Sequence, residues 1–396
     1  MNYHFPMSDI KPNKFFLIKT AFFSFLIIVL ALAVLSLYPE GLIKMISNTD
    51  KPSVLYEDYV AYYYPSARGI FTDKPILEGF FYTPTCALLI NTLTTSDIRE
   101  SLTYWHAFQL LTLLLLIFIP AVYLAKKTQK MSAYYTYITL MMFSFPVYHN
   151  LKWGQLSIFI TFCAFYSIFL FEKKHEWLSA LFLTVAILCK YYAAIALIYY
   201  LAQKKYLYLS KVIVMLIVLG LILPIYILGI DKTFLIFKAV FDEITYASDW
   251  VTYSINSHYL PNTIIRLTGI EASGAARGIL SILSLSVCFA FFFKYFRQKN
   301  DNNFCPFTAA ATFLLIPLFF NTSWPHYFVY LPFLIVAALY KTNSKTAKTT
   351  LFIAAILQTP LIFAAKNYVF FGFYAFLLWA NLLILLLHFN HKTVQS

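Results

Sequence analysis

Apolar runs long enough to cross a bilayer recur along this chain, near residues 16–37, 102–125, 132–148, 155–171, 208–229, 278–296, 305–320, 326–340, 349–365 and 370–389. A helical span needs about 20 predominantly apolar residues. Lipid offers the backbone no hydrogen-bond partner, so only helices and closed barrels can cross it. A barrel would read as alternating segments of about ten residues, and these runs do not alternate. They predict an all-α polytopic membrane protein. Composition agrees, with 61% hydrophobic and 12% charged residues, where a soluble chain carries about 25% charged. No soluble domain or internal repeat stands out, so residues 1–396 read as one integral membrane domain.

The stretch 177–202 is apolar but broken by Cys189-Lys190-Tyr191-Tyr192. Lys173 and Lys174 precede it, and Lys204, Lys205 and Lys211 follow. With both flanks on one side it becomes a hairpin of two short or broken helices. The total is then about 12 membrane segments with both termini cytoplasmic. The run from Ala21 to Tyr38 follows Lys11, Lys14 and Lys19 and reads as a retained first span, too long for a cleaved leader.

Charge tests this topology, because cytoplasmic loops carry the excess of Lys and Arg. The segments placed inside hold 18 cations and 4 acids, and those placed outside hold 11 cations and 13 acids. The formal charge of +13 therefore reflects orientation in a plasma (inner) membrane. It does not indicate a nucleic-acid partner, and aromatic-basic RNA or DNA motifs are absent. Five isolated cysteines, without a CxxC or Cys/His cluster, support neither a metal nor a redox site.

The informative polar sequence falls on the outer side. Two long outer loops cover about 38–100 and 230–277, and two short outer turns cover 149–155 and 321–326. The first loop holds the run 56–68, with Glu57 and Asp58, five tyrosines and Arg68. Acids there can take a proton from a bound substrate, and aromatic rings can stack on a sugar or lipid head group. The plainer reading is a solvated interfacial helix with an aromatic belt. Glu57 and Asp58 point about 100° apart on a helix, so one faces a pocket and the other faces water or a cation. Asp58 is the better base, because Tyr62 at i+4 shares its face. The run 80–93 is too short to span and reads as interfacial or re-entrant.

Lys190 lies inside a membrane segment, where a cation pairs with an anion, lines a wet cavity or snorkels to the surface. His326 can donate to a phosphate or assist proton transfer, or serve as a structural interfacial histidine. Gln155 offers an amide to a sugar hydroxyl, or simply opens a helix. His258 and Arg266, in the second outer loop, would complete an anion site or remain solvated. No nucleotide-binding motif occurs. An outward-facing enzyme of this kind needs an activated donor already in the bilayer, and a polyprenyl-phosphate sugar fits.

Four of these landmarks, in order across about residues 50–335, resemble a known family. Asp58 with Tyr62, Tyr63, Ala67 and Arg68 resembles the first-loop signature of glycosyltransferase family 87. Trp153-Gly154-Gln155 is similar to its G-Q motif, Lys190 to its lysine segment, and Ser323-Trp324-Pro325-His326-Tyr327 to its S-W-x-H-H turn. The chain departs from the family pattern in Tyr191-Tyr192-Ala193, where a proline is usual, and in Tyr327, where a second histidine is usual. The family's N-Q-S-L loop is echoed loosely by 256–260.

The resemblance implies a GT-C-like fold and a polyprenyl-phosphate sugar donor, often mannose and in some members arabinofuranose. It implies a lipid-linked glycan or glycolipid acceptor at the outer leaflet, and no cofactor or essential metal. The expected enzyme is an inverting hexosyltransferase with Asp58 as general base. His326, Lys190 and Arg68 or Arg266 would stabilise the leaving phosphate. Tyr62, Tyr63 and Trp324 would shape the sugar site, with Glu57, Gln155 and His258 as further substrate contacts. Two alternatives remain open at this point. An O-antigen ligase or polymerase would carry more outer arginines than Arg68, Arg99, Arg266 and Arg277. A lipid or sugar transporter would show repeats and several midplane ionisable residues, where only Lys190 lies clearly in a span.

Overall fold

The computed structural model describes residues 56–72, 79–271, 273–296, 304–359 and 368–389. The expected first span at 16–37, both termini, and parts of the first outer loop and of the 349–365 run lie outside the described residues. All regular structure among the described residues is helical.

The described part of the first outer loop opens with α1, residues 59–71, and α2, Pro84–Asn91. Then come α3 (Ile98–Thr128), α4 (Met131–Met142), α5 (Phe145–Trp153), α6 (Ser157–Glu172), α7 (Glu176–Cys189) and α8 (Tyr191–Ala202). The second half runs through α9 (Tyr206–Leu228), α10 (Ile230–Val251), α11 (Leu260–Thr268), α12 (Gly274–Phe296) and α13 (Pro306–Phe319). It closes with α14 (residues 325–341), α15 (Lys345–Leu357), α16 (Tyr368–Phe373) and α17 (Phe376–Phe389). Three of these, α3, α9 and α12, are long and apolar enough to cross a membrane by length and composition. Five shorter apolar helices of 10–17 residues are α6, α7, α8, α13 and α17. Three long spans among the described residues are fewer than the dozen segments expected, because several expected spans are broken. The 132–148 run divides at Phe143-Ser144, just ahead of Pro146, because proline has no N–H to continue the preceding helix and its ring clashes with the preceding turn.

The stretch 177–202 turns back on itself. Lys190 leaves the helix at φ −157°, ψ 124°, and the chain descends through a 3-10 turn into α8. Tyr192 at the top packs on Tyr327, ring centroids 4.2 Å apart. Tyr200 at the bottom packs on Phe171 at 5.1 Å and on Tyr208 at 4.5 Å. Tyr208 in turn bonds Ser179 (2.8 Å) and Ser167 (3.2 Å), so both ends of the stretch meet at one end of the bundle.

That end gathers the lysine-rich loops. Lys127 pairs with Glu172 at 2.5 Å, Lys211 pairs with Glu176, and Gln203 Nε2 donates to Tyr295 O at 3.1 Å. Lys294 Nζ donates to His388 O and Phe389 O (2.7 and 3.1 Å), a cation at the negative end of α17. At the opposite end meet α1, the start of α2, the α5–α6 turn, Lys190, the 254–258 loop and the 320–327 turn. Between the two ends lies an aromatic core in which Phe333 packs against Phe165 at 4.7 Å and Phe169 at 5.9 Å.

Candidate active site

The α5–α6 turn is the base of the site. Helix α5 ends on Gly154 in the left-handed conformation, φ +69°. A Cβ there would sit 2.9 Å from Tyr56 Cβ and 3.1 Å from Tyr59 Cβ, so glycine lets the start of α1 lie directly on the turn. The Tyr56 amide donates to Lys152 O at 2.9 Å, and the Tyr56 hydroxyl pairs with His106 Nδ1 at 2.5 Å. Asp58 thereby arrives beside Gln155.

Gln155 bridges two opposite charges. Its Nε2 donates to Asp58 Oδ2. Its Oε1 accepts from Lys190 Nζ and from the Tyr82 hydroxyl, each at 3.3 Å. An anion at one end and a cation at the other set the direction of the amide. Lys190 is 6% exposed, lies over the rings of Tyr327 (4.8 Å) and Tyr82 (5.3 Å), and makes no carboxylate ion pair among the described residues. Burial pushes the Asp58 carboxyl up from its ordinary value to about 6. The Gln155 hydrogen bond and the Lys190 charge oppose that rise, and the neighbouring Glu57 adds to it. A carboxyl poised near 6 suits a general base working at neutral pH.

Chain-remote amides hold Gln155 in place. Gln109 Nε2, from α3, donates to Gln155 O at 2.8 Å. Asn150 Nδ2 donates to Gln109 Oε1 at 3.1 Å, and Asn150 Oδ1 accepts the Ile158 amide at 3.2 Å. All three side chains are buried, and each bond joins a different pair of elements.

Other expected site residues make different contacts. The first turns of α1 form a π-helix, Tyr59–Tyr63, closed by the Tyr64 amide on Tyr59 O. This wider turn brings Tyr63 (i+5), instead of Tyr62 (i+4), under Asp58. Tyr63 is buried, packs edge-on against Tyr82 at 4.9 Å, and feels the Asp58 charge. Tyr62 instead covers Gly79, whose φ is +86° and whose Cβ position lies 2.7 Å from the Tyr62 ring. Glu57 and Arg68 are exposed. Arg266 gives its donors to four backbone oxygens: Ser254 (2.8 Å), Phe373 (3.0 Å), Ser257 (3.1 Å) and Gly372 (3.2 Å). It clamps the 254–257 loop to α16 and is not placed as an anion ligand.

The 320–327 turn completes the site. Tyr191 and Thr322 share a hydroxyl bond at 2.7 Å, and the Trp324 carbonyl accepts the Tyr327 amide at 2.9 Å. Trp324 is half-buried at the edge. His326 is 3% exposed, stacks on His149 and lies within electrostatic reach of Lys190. His258 is fully buried between Phe328 and Phe371, its amide on Ser323 O at 2.8 Å. Its ring nitrogens have no partner among the described residues.

Sequence reasoning passed over Tyr82, Gln109, His149 and Asn150. Gln109 carried a usable signal, since a polar side chain inside an apolar run needs a buried partner. His149 and Asn150 stood in the same outer turn as Gln155.

The family model for glycosyltransferase family 87 matches residues 80–320, more than half of the chain. No curated protein matches the chain, and no solved structure does.

Proposed function

The chain belongs to glycosyltransferase family 87, and from that premise we propose that it is an inverting membrane hexosyltransferase. It moves a sugar, mannose in this reading, from a polyprenyl-phosphate donor to a lipid-linked glycan or glycolipid acceptor. The observation that carries the reading is the carboxylate–amide–ammonium bridge of Asp58, Gln155 and Lys190.

In this mechanism the acceptor hydroxyl loses its proton to an Asp58 oxygen. The hydroxyl oxygen attacks C1 of the sugar. The C1–O bond to phosphate breaks on the opposite face, and its electron pair leaves with the polyprenyl phosphate. Oxocarbenium character in the transition state favours a nearby carboxylate, by analogy with glycoside hydrolysis. Lys190 has N–H donors beyond the one held by Gln155. Together with His326 it answers the charge growing on the leaving phosphate through charge-assisted hydrogen bonds. Tyr63 and Trp324 border the sugar. The lysine-rich end faces the cytoplasm by the positive-inside rule, so the site opens at the outer leaflet of the plasma membrane. A GT-C-like bundle of about twelve segments, with both termini inside, is part of the same proposal.

The test is sugar transfer by purified protein in nanodiscs, with radiolabelled polyprenyl-phosphate mannose and mixed glycolipid acceptors. Product formed by the wild-type chain and lost in Asp58→Ala supports the reading. Activity retained in Asp58→Ala would remove that residue from the role and turn attention to Glu57. Transfer only from another polyprenyl-linked sugar would correct the donor.

A further inference from the structure

His326 is paired with a second buried histidine, His149. His149 Nδ1 and His326 Nδ1 lie 3.3 Å apart, with the rings 5.3 Å between centroids and 26° from parallel. Both side chains are buried. His326 Nε2 is buried and has no hydrogen-bond partner among the described residues. His149 is held on its face of α5 by Phe145 four residues before it and Trp153 four residues after it, each with ring centroids 5.9 Å away. One turn of helix separates each pair, so the three rings form a single stripe. Burial and the Lys152 charge push the His149 pKa down to about 3, which leaves one proton on its ring at neutral pH.

Two imidazole nitrogens facing each other at this distance share one proton, and it belongs to one ring or the other. The reaction decides which. The oxygens of a leaving phosphate only accept hydrogen bonds, so His326 serves them only with an N–H. A neutral imidazole carries one N–H. If His326 holds that proton on Nε2, its Nδ1 is bare and must accept from His149. We propose that His149 is a positioning residue for His326, donating its Nδ1–H so that His326 presents Nε2–H to the leaving phosphate. The inference rests on the glycosyl-transfer reading of this site. It adds a residue outside the four motifs that carry the family resemblance.

Four variants and one spectrum test it. His149→Phe keeps the ring stack and removes the donor. Its kcat should fall roughly 10–100-fold, by analogy with removing the outer hydrogen-bond partner that fixes the tautomer of a metal-bound imidazole, with the acceptor KM unchanged. His149→Asn keeps an N–H close to the Nδ1 position and should recover most of the loss. The double variant His149→Phe/His326→Gln should be no slower than His326→Gln alone, since groups acting as one unit are non-additive. Wild-type kcat in His149→Phe, or losses that multiply in the double variant, would overturn the inference. The spectrum needs no activity and no variant at 149. In ¹⁵N-histidine-labelled wild-type protein, His326, assigned by difference with His326→Gln, should show a bare Nδ1 and a protonated Nε2. A protonated Nδ1 with a bare Nε2 overturns the inference even if transfer is robust. A wild-type chain inactive toward every polyprenyl-linked sugar, with the expected tautomer present, would sink the glycosyl-transfer reading and the phosphate role with it, while leaving the histidine pair as measured.

Discussion

Asp58 is a carboxylate whose properties are set by burial, by the Gln155 hydrogen bond and by the charges of Lys190 and Glu57. Asp58→Asn keeps the shape and the Gln155 contact but cannot take a proton, so kcat should fall about 10²–10⁴-fold while the thermal transition stays put. A general base works when deprotonated. Activity should therefore rise with pH, bend near 6 and level off above it, since burial has lifted the group to about 6. The Gln155 hydrogen bond lowers that value. In Gln155→Met the bend in kcat/KM should move to higher pH; an unmoved bend would detach it from Asp58. Gly154 is the other decisive residue. Gly154→Ala forces an L-residue into the left-handed region and a methyl to 2.9 Å from Tyr56. It should cost about 1–2 kcal/mol for the backbone alone and lower kcat by shifting α1, readable by thermal denaturation alongside initial rates.

Among elements, the joint between α7 and α8 and the clamp on α16 matter most. The helix break at Lys190 puts the cation at the top of the α7–α8 hairpin, beside Gln155 and Tyr327. An unbroken helix would carry the chain past them. Arg266 works at a different joint. Its four carbonyl contacts tie the 254–257 loop to α16, and the same loop lays the His258 amide on the 323 carbonyl. Arg266→Ala should destabilise the protein by roughly 2–4 kcal/mol, as partners of a partly buried cation lose their bonds, and leave the donor KM unchanged in the folded fraction. A raised donor KM with an unchanged melting temperature would restore the anion-site reading of this arginine.

For the whole molecule, the separation of a lysine-rich end from a polar, aromatic end is the main organising fact. It makes a prediction about sidedness. In a cysteine-free background, Lys174→Cys and Lys204→Cys should be labelled by an impermeant maleimide only from the cytoplasmic face. Glu57→Cys should be labelled only from outside. Labelling of positions 174 and 204 from opposite faces would refute the hairpin at 177–202 in the membrane.

The helical class and the candidate polar residues were legible in the sequence. Spanning apolar runs admit only helices, and polar residues inside or beside such runs stand out because lipid penalises them. Asp58, Gln155, Lys190 and His326 therefore stood out one at a time as candidates, as did the break at Cys189-Lys190. Pairing was not visible. Asp58 and Gln155 are 97 residues apart and Gln155 and Lys190 are 35 apart, and no local rule reports which distant polar groups an amide will bridge. The i+4 rule favoured Tyr62, and a π-turn in α1 substituted Tyr63. Its place in the second outer loop made Arg266 a candidate anion ligand, and four carbonyl oxygens from two segments took its donors. The sequence by itself determined the solvent each segment must satisfy, and hence the helical class. Tertiary packing alone decided which buried polar groups meet, because each pairing depends on the simultaneous placement of several helices.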